Sequence, residues 1–247
     1  LFAQHSGTCG TNLTWTYDET TRVLTISGSG DMDNYMENHT YDMPWHNYQT
    51  SIASIVFPDS ITSIGNNAFY SASNLTSVTI PDGVTRVGDR AFCGCSKLST
   101  VLIPNSVTSI GSGAFTGCCF TSFTIPNSVT SIGSTAFAYC VNLSTINIPS
   151  GITSINSSMF AYCSALDSIT IPEGVTSIES EAFMMCTSLK SINLPNSLKS
   201  IGFEAFMLCS GLTSITLPDS LTNIGTGAFC YSGLTSVDIP NGLTSIV

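Results

Sequence analysis

The chain is predicted to fold as a repeat solenoid, a stack of short coils in which each coil buries its apolar face against its neighbours. Two observations carry this prediction. A proline preceded by an apolar residue recurs every 22 or 23 residues, and apolar and small residues recur at fixed distances from it. The prolines that set this register are Pro58, Pro81, Pro104, Pro126, Pro149, Pro172, Pro195, Pro218 and Pro240.

The residues before each proline predict a short, half-buried strand. Apolar side chains stand six, three and one positions before it, as at Leu75, Val78 and Ile80, and Ser, Thr or Asn fill most positions between them. Such alternation is typical of a strand with one buried and one solvated face. The proline ends the strand, and a pair such as Asp82-Gly83 then makes a turn.

The residues after each proline predict a second extended piece and a short helical turn. A piece such as VTSIG runs back along the coil, and an Ala-Phe step such as Ala91-Phe92 anchors the turn that follows. The glycine seven positions after the proline, as at Gly88, indicates either left-handed backbone or close packing between coils. Asn156 and Glu179 replace this glycine in two coils.

These units resemble the BspA-like (Treponema-type) class of leucine-rich repeats, which occurs on surface proteins of bacteria and some protozoa. The pattern LxxVxIPxxVxxIGxxAFxxC, from about Ile52 to Val247, carries the resemblance. The resemblance implies a leucine-rich repeat solenoid, α/β horseshoe-like and strand-rich with short helical turns. It also implies a right-handed curved superhelix with a parallel sheet on its concave side.

The first 50 residues break the period and are expected to form an N-terminal capping β-hairpin region. Two alternating segments, 13–17 and 22–27, read as strands joined by a polar turn. A hairpin laid across the first coil would shield its apolar edge. Residues 51–247 form the expected array of about nine repeats, with no C-terminal cap visible, so we expect a further segment or a partner at that end.

Charge and hydropathy exclude two classes of partner. Six Lys and Arg stand against 16 Asp and Glu, a net charge of −10, whereas nucleic-acid binding needs a basic surface. No apolar run approaches the roughly 20 residues of a membrane helix, so we expect no membrane insertion in this chain. A surface made polar by Ser, Thr and Asn suits an extracellular or cell-surface protein.

The ten cysteines are interpreted mainly as a buried ladder of free thiols packed as small hydrophobic groups. Disulfides and metal ligation are the less favoured alternatives, since parallel side chains from equivalent positions point the same way. Four cysteines lie off the ladder and are expected to be the accessible ones: Cys9, Cys93, Cys119 and Cys230. Whether they pair stays open. The ladder column contains Cys95, Cys118, Cys140, Cys163, Cys186 and Cys209.

The pattern of histidines argues against an enzyme. His5, His39 and His46 all lie before the repeats, and none has the spacing of a zinc site. The array therefore lacks the commonest general base of enzymes. We expect no catalytic residues, no metal and no cofactor.

Two surfaces are candidate partner sites. An apolar stripe lies thirteen positions after each proline in the C-terminal half, where Tyr and Met suit an interface, although packing onto the turn also explains it. The alternative is the solvated face of the strands, on the concave sheet, which lacks aromatic anchors. The stripe comprises Tyr139, Tyr162, Met185, Leu208 and Tyr231; the concave-sheet alternative comprises Thr100, Thr124, Thr145, Asn147, Thr170, Asn193 and Thr216.

The array, the low charge and the lack of an acid–base constellation predict a secreted or cell-surface module that binds a protein or glycan ligand. The family resemblance implies adhesion to host matrix proteins such as fibronectin or fibrinogen, or to other cells. The alternative is a structural spacer or stalk that presents another domain.

Overall fold

The structure of the protein, a computed structural model, describes residues 4–36 and 42–243 and the backbone of the strand at 245–246. It is a strand-rich solenoid of stacked coils. Within the described ranges the one helix is a 3-10 helix, His46–Ser51, which precedes the repeats. His39 lies outside the described residues.

Two antiparallel pairings build the N-terminal region. Strand β1 (Gln4–Gly10) pairs with β2 (Leu13–Asp18), and β2 pairs with β3 (Val23–Gly28), followed by the short β4 (Gly30–Asp31). The hairpin of β2 and β3 was predicted, whereas β1 was not. Strands β3 and β4 each run parallel to a strand of the first coil, so this region extends both rows of strands described below. Its capping role stays a prediction.

The strands before each proline form the first strand row. Neighbouring strands run parallel with equivalent residues in register, as Val78 lies opposite Val101. The second residue of each strand is the apolar residue three before the proline, and it is buried in the core or packs against it. The row comprises β5 (Ser54–Val56), β7 (Ser77–Thr79), β9 (Thr100–Leu102), β11 (Ser122–Phe123), β13 (Thr145–Ile146), β15 (Ser168–Thr170) and β17 (Ser191–Asn193).

The strands after each proline form the second strand row, also parallel and in register. From β6 to β19 their apolar residue is buried, as Ile110 and Ile201 are at 1 % exposure or less. The row comprises β6 (Ile61–Ile64), β8 (Arg86–Val87), β10 (Ser109–Ile110), β12 (Ser131–Ile132), β14 (Ser154–Ile155), β16 (Ser177–Ile178), β18 (Ser200–Ile201), β19 (Asn223–Ile224) and β20 (Ser245–Ile246).

A ladder of stacked phenylalanines fills the centre of the coils. Consecutive rings of the Ala-Phe step stack nearly parallel, with centroids 5.2–5.9 Å apart. The ladder continues into the N-terminal region, where Trp45 stacks on Phe69 at 5.6 Å and its Nε1–H donates to the Ala68 carbonyl at 2.8 Å. The aromatic core therefore joins the repeats to the segment that precedes them.

The cysteine column lies beside this ladder and is buried, as predicted. Each thiol donates to the carbonyl of a phenylalanine in the preceding coil, as Cys163 Sγ does to Phe137 at 3.1 Å and Cys186 Sγ to Phe160 at 3.2 Å. The expectation that Cys9 is accessible was wrong. Cys9 is fully buried because its strand, β1, packs into the N-terminal core.

The glycines seven positions after the proline are explained by close packing and not by left-handed backbone. None of them has a positive φ. A Cβ added to Gly111 would lie 2.5 Å from the backbone nitrogen of Asp89 in the preceding coil. Where Asn156 replaces the glycine, its side-chain amide donates to the Ile132 carbonyl at 2.6 Å. In neighbouring coils a backbone N–H donates to the equivalent carbonyl, as the Gly133 N–H does to the Ile110 carbonyl.

We expect thiol labelling of the native protein at pH 8 to modify at most Cys93, Cys119 and Cys230. Burial raises the pKa of the column thiols, to about 12 for Cys95 and Cys140, so almost no reactive thiolate forms there. Mass spectrometry of the labelled protein measures this, and denaturation should release all ten cysteines. Rapid native labelling of any column cysteine would contradict the register.

Candidate partner-binding surface

The segments seven to fifteen positions after each proline form the third side of the solenoid, here called the turn face. The predicted helical turn is absent: each segment is a run of hydrogen-bonded turns. In each segment from Gly65 to Gly233, the residues nine and thirteen after the proline both have positive φ, between 50° and 75°. Left-handed backbone, one of the two explanations considered for the glycine column, lies at these two columns instead.

This conformation follows from how the turn face satisfies its backbone. Alternate N–H groups donate along the stack to the next coil, as Phe160 does to Ala182 and Tyr162 to Met184, at 2.8 and 2.7 Å. The N–H groups between them donate within the coil to the carbonyl three residues earlier, as Ala161 does to Ser158. Both sets of donors are satisfied, so the left-handed positions belong to the repeat backbone itself.

The apolar stripe occupies one of these left-handed columns. Glycine adopts such a backbone at no steric cost, and Gly94 and Gly117 hold the equivalent positions in earlier coils. Other residues adopt it at a cost of about 1–2 kcal/mol each. From the fourth coil onward the column instead holds large side chains, with φ between 55° and 64°: Tyr139, Tyr162, Met185, Leu208 and Tyr231.

The stripe reaches solvent. Tyr139 is 52 % exposed and Tyr231 74 % exposed, while Tyr162, Met185 and Leu208 are half-buried. The rings of Tyr139 and Tyr162 stack with centroids 4.4 Å apart and planes 8° from parallel. Partial burial, then the neighbouring Tyr162 and Glu181, raise the pKa of Tyr139. The five side chains are therefore accessible to solvent at least in part, and none is fully buried beneath the turn.

The stripe begins abruptly at Tyr139. On its N-terminal side, a Cβ added to Gly117 would meet only the backbone of Gly94, at 3.9 Å or more. An open groove of about 380 Å³ results, lined by Tyr70, Arg90 and Tyr139 together with Cys93, Thr116, Thr135 and Ala138. In the column thirteen positions after the proline, large side chains are thus confined to the fourth and later coils.

The strand-face alternative is also exposed. All seven of its predicted residues lie at the surface, and a shallow depression of about 390 Å³ lies among Thr145, Asn147 and Thr170. Three of its side chains, Asn147, Thr170 and Asn193, bond along the stack. The Asn147 amide donates to the Ile125 carbonyl and accepts from the Ile125 N–H, both at 2.8 Å, and Asn193 donates to Thr170 at 3.4 Å.

Sequence reasoning missed the second left-handed column, nine positions after the proline. There Glu181 and Glu204 lie beside the stripe, with φ of 58° and 50°. The exposed Phe203 (45 %) and Val141 (49 %) enlarge the apolar area of the same face. The glycines at 113 and 227 in this column were the available signal, because glycine marks where the backbone turns left-handed.

The described part of the chain contains neither a grouping of three or more His, Cys, Asp or Glu side chains able to hold a metal ion nor a helix long and apolar enough to cross a membrane.

The family of the chain follows from its repeats. The model of the BspA type leucine rich repeat region matches residues 46–166 and 130–247. These two ranges cover most of the chain, so this protein belongs to the BspA-type leucine-rich repeat family, as its sequence predicted. The family is one of repeat scaffolds, and the match indicates no enzyme family. The comparison with curated proteins yields no match.

Solved structures share the fold at low sequence identity. The pneumococcal vaccine antigen PcpA is 18 % identical, with a TM-score of 0.54 over 98 % of this chain and 82 % of that one. The Treponema pallidum leucine-rich repeat protein is 21 % identical, with a TM-score of 0.51 over 80 % and 86 %. A leucine-rich repeat protein from Bacteroides ovatus is 21 % identical, with a TM-score of 0.50 over 94 % and 88 %. These similarities identify the fold alone.

Proposed function

We propose that this chain is a secreted or cell-surface, non-enzymatic interaction module that binds its partner through the apolar stripe. One observation carries the proposal: five successive coils place a large apolar or aromatic side chain where the backbone favours glycine. That choice costs about 1 kcal/mol or more per residue and leaves apolar area in water. Folding buries part of Tyr162, Met185 and Leu208 and leaves Tyr139 and Tyr231 mostly exposed. Desolvation of the remaining apolar area by a partner would be favourable.

The chemistry of the stripe makes it a better binding site for a protein partner than the strand face is. Tyr and Met are enriched in interfaces, and stacked rings lose little conformational freedom on binding. The strand face offers hydroxyl and amide groups that already bond to water or to the next coil. The proposed partners are a host matrix protein, a glycan-bearing surface or another cell.

The binding test is a screen of the purified chain against matrix proteins, glycans and whole cells. Saturable binding supports an adhesion or interaction module. Absence of binding by a correctly folded array would instead favour the alternative function, a structural spacer that presents another domain.

The location test uses the ligand found in that screen. Changing Tyr162 and Leu208 together to serine should weaken binding at least about tenfold, since two desolvated side chains are lost. Serine occupies the equivalent left-handed position at Ser71, so the fold should persist. Titration by surface plasmon resonance measures the change.

The matched control replaces Thr145 and Thr170 by alanine and should change affinity less than about twofold. If the threonine variant loses binding and the serine variant does not, the site belongs to the strand face.

A further inference from the structure

In the coils that carry the stripe, the turn face has acidic residues and neither Lys nor Arg; Arg90 lies on the same face in the second coil and lines the groove beside Tyr139. Across residues 133–233, the turn segments contain Glu179, Glu181 and Glu204 but no Lys or Arg. The two lysines of that range lie elsewhere: Lys190 pairs with Asp167 at 2.6 Å, and Lys199 directly precedes β18 of the second strand row. A chain of net charge −10 adds a long-range field of the same sign.

Two of these glutamates belong to the same turns as stripe residues. Glu181 and Glu204 each stand four residues before a stripe residue, Met185 and Leu208, at the opposite end of the same turn. Glu181 accepts a hydrogen bond from Ser158 Oγ at 3.1 Å, which holds it against the preceding coil, the coil that contains Tyr162. The two glutamates occupy equivalent positions in adjacent coils, so their backbones lie about 5 Å apart.

The residue choice at these two positions is itself informative. Both glutamates have a left-handed backbone conformation. Gly113 and Gly227 hold the equivalent positions in two other coils. A glutamate there costs backbone energy and also places like charges in neighbouring coils, which repel each other. A positively charged partner removes that repulsion, so the arrangement is better suited to the bound state than to the free one.

We propose that the stripe together with Glu181 and Glu204 binds a linear, basic segment of a partner protein. Arg or Lys side chains of that segment would pair with the two carboxylates, and one guanidinium can reach both. Their aliphatic stems and neighbouring apolar residues would pack on Tyr162, Met185 and Leu208. The tyrosine rings add a cation–π surface for arginine. This proposal rests on the stripe being the site of the proposed function.

The experiment uses two fluorescent eight-residue peptides, one of alternating Arg and Leu and one of alternating Glu and Leu. Fluorescence anisotropy with the wild-type chain should show at least about tenfold tighter binding of the Arg-Leu peptide, weakening as salt is raised. The Glu181→Gln/Glu204→Gln variant should lose about tenfold in affinity and most of its salt dependence. Glutamine keeps the size of the side chain, and circular dichroism checks the fold.

The control variant, Glu173→Gln/Asp219→Asn, removes the same two charges from exposed positions just after two of the repeat prolines, away from the turn face. Its affinity should change less than about twofold. An equal loss in both variants would mean that only net charge matters, and the proposal would fail. Equal binding of the two peptides, or no binding of either, would also overturn it.

Failure of this proposal is separable from failure of the proposed function. If Tyr162→Ser/Leu208→Ser abolishes binding of the screened ligand while Glu181→Gln/Glu204→Gln leaves it unchanged, the stripe is the site but its partner is not basic. If neither variant changes binding, the stripe itself is not the site.

Discussion

Phe160→Ala is expected to destabilise the protein by about 3–5 kcal/mol, because the substitution leaves a cavity in a core that cannot collapse around it. Phe160 is fully buried and stacks on Phe137 at 5.9 Å and on Phe183 at 5.4 Å. Both neighbours are held by their own backbone bonds to adjacent coils, at 3.0 and 2.8 Å. Neither ring can move into the space without breaking the register of the stack.

Cys163→Ala is the matched control, because it removes one buried atom from the same coil. We expect a loss of roughly 1 kcal/mol, which combines a weak hydrogen bond to the Phe137 carbonyl with a small cavity. Urea unfolding followed by circular dichroism measures both variants, and the m-value should be compared because repeat arrays can lose cooperativity. Similar losses for the two variants would argue against the aromatic ladder as the main source of stability.

The repeat architecture was predictable because the buried apolar positions recur with the same period as the proline. Positions such as Leu75, Val78 and Phe92 are apolar in nearly every coil, and the structure buries them at 3 % exposure or less. Hydrophobic burial depends on which side chains face the core, and a 22–23-residue period shows that directly. Family, solenoid fold and the buried cysteine column therefore followed from the sequence.

The backbone of the turn face was not predictable in the same way. The Ala-Phe segment reads as a helical turn, because alanine favours helix and its phenylalanine is apolar. The coil instead needs alternate N–H groups to point along the stack, and left-handed residues at both ends of the turn provide this. A large residue such as Tyr162 gives no sign in the sequence of a left-handed position, whereas the glycines at Gly94 and Gly117 indicate one.

The candidate site was also predictable in part only. Its residues were predicted from the change from small to large side chains along one column, and they stay a prediction until binding is measured. The second column was missed because Glu181 and Glu204 look like ordinary solvated charges in the sequence. Only the fold places them at the other end of the turn from Met185 and Leu208.

The second large effect is expected at the glycine column, where Gly111→Ala should cost about 3 kcal/mol. The added Cβ would lie 2.5 Å from the Asp89 backbone nitrogen and 2.6 Å from the Gly88 carbonyl carbon, so backbone atoms must move. Moving them lengthens the bond from the Gly111 N–H to the Val87 carbonyl, now 2.9 Å. Asn156 tolerates a side chain because its amide takes over the equivalent carbonyl, which alanine cannot do.

Gly117→Ala separates this clash from the general cost of replacing a glycine. Gly117 has a φ of 72°, so alanine is strained there, but its Cβ would enter open space 3.9 Å from the nearest atom. We expect a loss of about 1 kcal/mol, from backbone strain alone. Urea midpoints of the two variants give the comparison. Because both changes add one methyl group to a glycine, any excess loss at Gly111 measures how closely the coils pack. Equal losses would mean that backbone conformation, and not close approach, keeps glycine in that column.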